Sequence, residues 1–289
     1  MTLLQEIFSP DFLLRNSVYV SLLVGAVCPL AGSYLVMRRM VFLGLALPQV
    51  SSCGIALAFA LHTWGIIPHL EEGERGLAFA GSTVLTLFTI VAMTFLERRG
   101  KGLADGRIGT AYALAGAWSI LLLVKNPYGE HGLLERMKGE IISVSNFDLA
   151  LTAGTFGLVA LLLLVFRKEI LLVSFDREMA VVLRKNLLVW DGLFFVAIGL
   201  AVSLAVLSTG PLVTFGFLVI PPLTAHHLAS NMRQYTVLSS VIGITAALGG
   251  FCLAYRLDLP VGPTDVALLG IMYAASFLYS KLTGRTSAA

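Results

Sequence analysis

The chain has 289 residues, 57% of them hydrophobic and 13% charged, an apolar share above the roughly 45–50% of soluble domains. That balance excludes a soluble enzyme or binding module and predicts an all-α, polytopic membrane protein forming a single transmembrane domain over residues 1–289. A formal net charge of +3 is too small to suggest a nucleic-acid partner, and the lipid membrane becomes the first expected one.

The opening MTLLQEIFSPDFLLRN places acids before its first base and has no small-residue cleavage site, so it does not read as a signal peptide. Nine spans then follow: Phe12 to Met37, Met40 to Thr63, Leu77 to Leu96, Ile108 to Val124, Phe147 to Phe166, Gly192 to Leu207, Leu212 to Leu228, Thr236 to Tyr255 and Thr264 to Leu282. The tight turn Ser208-Thr209-Gly210-Pro211 separates the sixth and seventh, and merging them leaves eight. The 28 glycines support close helix packing where apolar burial between helices gives no driving force.

The second span is unlike an inert lipid-facing helix, because Gly44, Pro48, Gln49, Ser51, Ser52, Cys53 and Gly54 crowd its middle. Pro48 lacks a backbone donor and clashes with the preceding turn, which predicts a kink or break and freed carbonyls needing partners inside protein or water. Gln49 shares a helical face with Ser52 and Cys53, and Leu45 extends that face by one turn. Leu45, Pro48, Gln49, Ser52 and Cys53 are therefore candidates for a permeation path, with a proline-kinked packing helix as the alternative. Cys28, Cys53 and Cys252 lie in apolar runs without CxxC spacing and read as buried thiols.

Orientation follows from the bases: alternate loops collect 14 of the 20 Lys and Arg on one side, which the positive-inside rule makes cytoplasmic. The N-terminus is then external and the C-terminus internal. External loops hold His62, His69, Glu71, Glu72, Glu74, Glu130 and His131, whose spacing matches no recognised ligand set and reads as solvated loop. Glu97, Asp148, Asp191 and Asp265 all fall at predicted span ends. His226 and His227 are neighbours in a span, pointing about 100° apart, and read as interface residues rather than ligands.

The longest cytoplasmic loop, 167–191, contains a short amphipathic helix that Ser174 or Asp176 can cap, with Glu178 in its first turn. Met179, Val182 and Leu183 form its apolar stripe, flanked by Arg177, Arg184 and Lys185. Such a helix lies against something, either a membrane surface or a soluble partner.

Several stretches, in order along the chain, resemble the permease subunits of ABC-3 metal importers: YLVMRRMVFLGLAL with CGIALAF, VSNFDLAL, ILLVSFDREMA, LSTGPLVTFGFLVIPPLTA and YRLDLPVGPT. The resemblance implies a type II importer-like core in the bacterial cell (inner) membrane. Two permeases, identical or paralogous, would form a dimer for zinc, manganese or iron, supplied by an extracytoplasmic metal-binding protein. It also implies a coupling helix for a separate ATPase over Phe175, Asp176, Arg177, Glu178, Met179, Ala180, Leu183 and Arg184. ATP and Mg would bind that partner, since the chain has no G-x-x-x-x-G-K-[ST] and needs no cofactor of its own. Two departures stand out. Leu45 and Gln49 occupy positions where many members carry Asp and His, and Cys53 one where they carry Pro, so a strong cation site is missing and the metal ligands are unknown. Arg184 replaces a usual glycine, leaving the coupling helix's length open. An ion-driven secondary transporter, or a permease for a chelated metal, is the alternative function.

Overall fold

The computed structural model describes residues 14–65, 74–99, 104–124, 146–175 and 177–283. These form eleven helices: α1 (Arg15–Met37), α2 (Val41–Thr63), α3 (Glu74–Arg99), α4 (Ala104–Val124), α5 (Asn146–Val165), α6 (Arg167–Phe175), α7 (Arg177–Val182), α8 (Leu187–Thr209), α9 (Pro211–Leu228), α10 (Met232–Leu257) and α11 (Val261–Leu282). Eight are long and apolar enough to cross a membrane, and α5 with α6 passes the same test only as a pair bent by 64°, a broken span or a re-entrant loop. The sixth and seventh predicted spans are separate helices, α8 and α9, parted at Gly210. Its φ of 82° and ψ of 165° suit glycine alone.

Burial orders the bundle. Some 72% of the apolar windows of α1 and α2 is buried, against 22% for α3, α4 and α11. Helix α1 packs on α10, α9, α5 and α8, whereas α2 is held chiefly between α3 and α4. The main core, including Tyr34, Leu47, Phe156, Phe194 and Phe217, lies where α1, α2, α5, α8 and α9 meet.

Of the kink or break predicted at Pro48, the break does not occur, for α2 runs unbroken from Val41 to Thr63 with Pro48 inside it. Pro29 in α1 and the Pro221–Pro222 pair in α9 are likewise helix-interior. A proline leaves the carbonyl four residues earlier without its helical donor. Two of the freed carbonyls rest on neighbouring glycines. Pro29 frees the Gly25 carbonyl, whose oxygen lies 2.0 Å from where a Cβ of Gly243 in α10 would sit. Pro222 frees the Leu218 carbonyl, whose oxygen lies 1.7 Å from the Cβ position of Gly32 in α1. Only a Cα hydrogen fits between them, and Cα–H···O contacts of this kind contribute about 0.5–1 kcal/mol each.

Gly32→Ala should therefore lower stability in detergent by about 1–3 kcal/mol, the usual range for overpacking. Gly157→Ala on α5, whose methyl meets nothing within 4 Å, should be neutral or stabilising by up to about 1 kcal/mol. Adding Pro222→Ala to Gly32→Ala restores a donor for the Leu218 carbonyl and should recover part of the loss in a thermal melt.

Candidate functional site

Three regions carry the residues singled out in the sequence. On α2, Pro48, Ser52 and Cys53 are buried, while Leu45 and Gln49 are partly exposed. Gln49 lies against α4, its Nε2 3.2 Å from the Cβ position of Gly116, and Cys53 packs with Val50, Ala115 and Leu85. Ser51, one residue round from Ser52, turns the other way: its hydroxyl lies 2.6 Å from that of Ser82 in α3, which is in turn 3.5 Å from the Ser203 carbonyl in α8. The polar middle of α2 is thus divided between two neighbours, with Leu45, Gln49 and Cys53 on the side of α4. Among the described residues no group of three or more His, Cys, Asp and Glu could hold a metal ion.

Beyond α5, α6 leaves its axis by a 64° bend and α7 follows it. Phe175 ends α6 at 65% exposure, and Met179, Val181, Val182 and Leu183 are all exposed, whereas Ala180 is fully buried. Glu178 and Arg184 are exposed as well, and Asp176 and the side chain of Arg177 lie outside the described residues. Ser174 is not the cap of α7. It sits within α6, where its hydroxyl bonds the Ile170 carbonyl and accepts from Arg38 Nε at 2.7 Å.

The chain turns out of α7 through Leu183 and Arg184. The amides of Arg184 and Lys185 donate to the carbonyls of Val181 and Ala180, each at 2.9 Å, with Arg184 at φ 53°. This is a Schellman end, whose left-handed residue is normally glycine. Arg38, at the end of α1, bonds Asp191 of α8 at 2.8 Å and covers the Phe194 ring at 3.9 Å.

The sequence profile of the ABC 3 transport family matches residues 11–280. The chain belongs to that family. It is 27% identical to the manganese transport system membrane protein MntD of Bacillus subtilis, covering 92% of both chains. It is 23% identical to the chelated iron transport system membrane protein YfeD of Yersinia pestis, covering 97% of this chain and 90% of that one. Among solved structures, PsaBC from Streptococcus pneumoniae in complex with Fab has the same fold, with a TM-score of 0.79, 24% identity and coverage of 93% and 92%.

As a member of this family the chain departs from expectation in how its charges are placed. Asp191 is no free span-end acid but the fifth residue of α8, paired to Arg38. Asp265 is the fifth residue of α11 and fully buried, with neither carboxyl oxygen hydrogen-bonded among the described residues. It faces Gly250 of α10, where a Cβ would lie 1.9 Å from its Oδ1. Residue counting missed its burial because a span end says nothing about the helical phase. The side chains of Glu97 and Asp148 lie outside the described residues.

Of the histidines and acids expected in external loops, only His62 is described with its side chain, at the partly exposed end of α2. His226 and His227 point to different helices: the first ring is 6.2 Å from Tyr235 of α10, the second 5.7 Å from Tyr273 of α11. Cys28 and Cys53 are buried and Cys252 partly so. The residues that sequence reading missed are Arg38, Ser174 and Asp191 as a group. Arg38 had been counted only as one base among fourteen.

Since Arg184 holds a left-handed backbone that disfavours L-residues by about 1–2 kcal/mol, Arg184→Gly should stabilise this turn. Exchange of the Arg184 and Lys185 amide positions should slow about fivefold, matching about 1 kcal/mol, and Arg184→Val should accelerate it.

Proposed function

We propose that this chain is the membrane-spanning permease subunit of an ATP-binding-cassette importer for divalent metal ions, in the bacterial inner membrane. Zinc, manganese and iron are the cargo candidates, manganese and chelated iron being those named for its relatives MntD and YfeD. The observation that carries the reading is the face of α6 and α7. Phe175, Val182 and Leu183 are 65%, 75% and 55% exposed, on a segment that bends away from the membrane-crossing bundle between Glu169 and Lys185. A short buried-back, apolar-fronted helix of this kind supports docking of a separate ATPase, which supplies the ATP and Mg that this chain has no phosphate-binding loop to hold. An extracytoplasmic metal-binding protein delivers cargo at the other side, and a second permease completes the path.

The test combines binding with transport. Glu178→Arg/Met179→Asp places charges on the docking face, where an unpaired buried charge costs several kcal/mol. Co-purification with the ATPase and ATPase-dependent metal uptake should both fall at least tenfold, with the permease still inserted. Uptake that persists without the ATPase gene and collapses with the proton gradient would instead make the chain a secondary transporter.

A second reading concerns the cargo and rests on Leu45 and Gln49. Neither supplies a negative charge, and a bare divalent ion at mid-membrane without a counter-charge is disfavoured by several kcal/mol. Either a paralogous permease carrying the acid and imidazole completes a heterodimer, or the metal travels chelated. Leu45→Asp/Gln49→His should raise uptake of free Mn2+ several-fold when this permease and its ATPase are expressed without a second permease. Full-rate import by the unmodified pair, with no gain from the substitutions, would remove the argument from missing ligands.

A further inference from the structure

Where α1 ends, Arg38 is nearly sequestered from solvent, with 7% of its side chain exposed. Its Nε, its Nη1 and the flat face of the guanidinium each meet a different group. Nε donates to Ser174 Oγ in α6, Nη1 donates to Asp191 Oδ1 in α8, and the flat face lies 3.9 Å above the ring of Phe194. Ser174 is itself fixed, since its hydroxyl bonds the Ile170 carbonyl. Phe194 is fully buried and meets Tyr34 edge-on at 6.3 Å, and the Tyr34 hydroxyl donates to the Leu163 carbonyl of α5. One side chain therefore ties together α1, α6 and α8, and through Phe194 and Tyr34 it reaches α5.

The connection from Arg38 to α2 is short and stiff. Arg39 takes φ 58°, its amide bonds Val36, and that of Met40 bonds Leu35, so α1 closes in a hydrogen-bonded turn and α2 starts at Val41. Leu45 lies one turn further on. On the other side, Ser174 adjoins Phe175 and the exposed face of α7. The second latch of this segment, Lys185 to Glu169, is long at 3.9 Å and partly exposed on both sides, a pair of the kind that contributes little.

We propose that Arg38 is a positioning residue for transport: it holds the ATPase-docking segment in register with the α1–α2 turn, so that movement of a docked ATPase reaches the helix carrying Leu45 and Gln49. This rests on the docking role proposed above for α7. The task suits arginine, whose planar fork serves two acceptors in fixed directions and a ring at once, while a lysine ammonium is a point charge with no flat face to stack.

The test is hydrogen exchange of the assembled permease–ATPase complex, with and without trapping by ATP and vanadate. Because Arg38→Ala removes the cation paired with Asp191 and threatens folding, the informative variants are Arg38→Lys, which keeps a charge for Asp191, and Ser174→Ala, which removes the Nε acceptor together with the local bond to the Ile170 carbonyl. In the unmodified complex, trapping should change exchange both in residues 177–185 and in residues 38–45. In both variants the first change should persist and the second should shrink at least threefold, with the ATPase still bound and hydrolysing ATP within twofold of the unmodified rate. A response at residues 38–45 that survives both variants overturns the proposal. So does equal loosening of both segments before nucleotide is added, the mark of a merely structural clamp. If trapping leaves residues 177–185 unchanged even in the unmodified complex, the docking reading itself fails and this proposal with it.

Discussion

The bundle depends on carbonyls that prolines release and glycines receive. Inside a bilayer no water is available for a freed backbone acceptor, and apolar side chains gain nothing by leaving lipid for protein. Pro29 and Pro222 each leave one carbonyl without its helical donor, and in both cases that oxygen lies where a neighbouring helix has no Cβ, at Gly243 and Gly32. The two contacts share α1, which joins α10 through the first and α9 through the second. Central burial of α1 follows from being on the donating side of one such contact and the receiving side of the other. The same pairing explains why proline inside α1 and α9 does not break either helix.

With α1, α9 and α10 fixed in this way, α2 is held by other means. Its polar middle is shared between a serine pair toward α3 and a glutamine toward α4, and those two helices are themselves mostly exposed on their outer faces. The opposite face of α2 is embedded in the main core through Leu43, Leu47 and Ile55. The partly exposed Leu45 and Gln49 thus lie on the α4 side of a helix whose other face belongs to the core.

Much of this was legible in the sequence, because span length and apolar run are set by membrane thickness and survive any detail of packing. All nine predicted spans have helices, and the exposed stripe of Met179, Val182 and Leu183 was readable from spacing alone. The failures have physical causes. Pro48 left a kink and a break both open because local sequence shows the lost donor but not the packing, and α2 stays helical through it. Ser174 was taken as a possible cap because serine before an acidic turn favours one, yet the tertiary pull of Arg38 placed it inside α6. At Arg184 the substitution of a usual glycine left the helix end open, and the fold kept the left-handed turn regardless, so backbone hydrogen bonds to Ala180 and Val181 outweigh the residue's own preference.

The two acids at helix starts show where sequence position ceases to inform. Asp191 and Asp265 are each the fifth residue of their helix, one turn beyond the free amides whose dipole would favour a carboxylate. Asp191 meets Arg38 and keeps 15% exposure. Asp265, fully buried, meets Gly250. What separates them is the neighbour that each helix's rotation presents, an arginine at the end of α1 in one case and a bare backbone on α10 in the other. A glycine again makes the room, but here it admits a polar group without satisfying it. The first acid thereby becomes part of a rigid junction between three helices, and the second is a polar group confined to the α10–α11 contact with no route to the α2 flank.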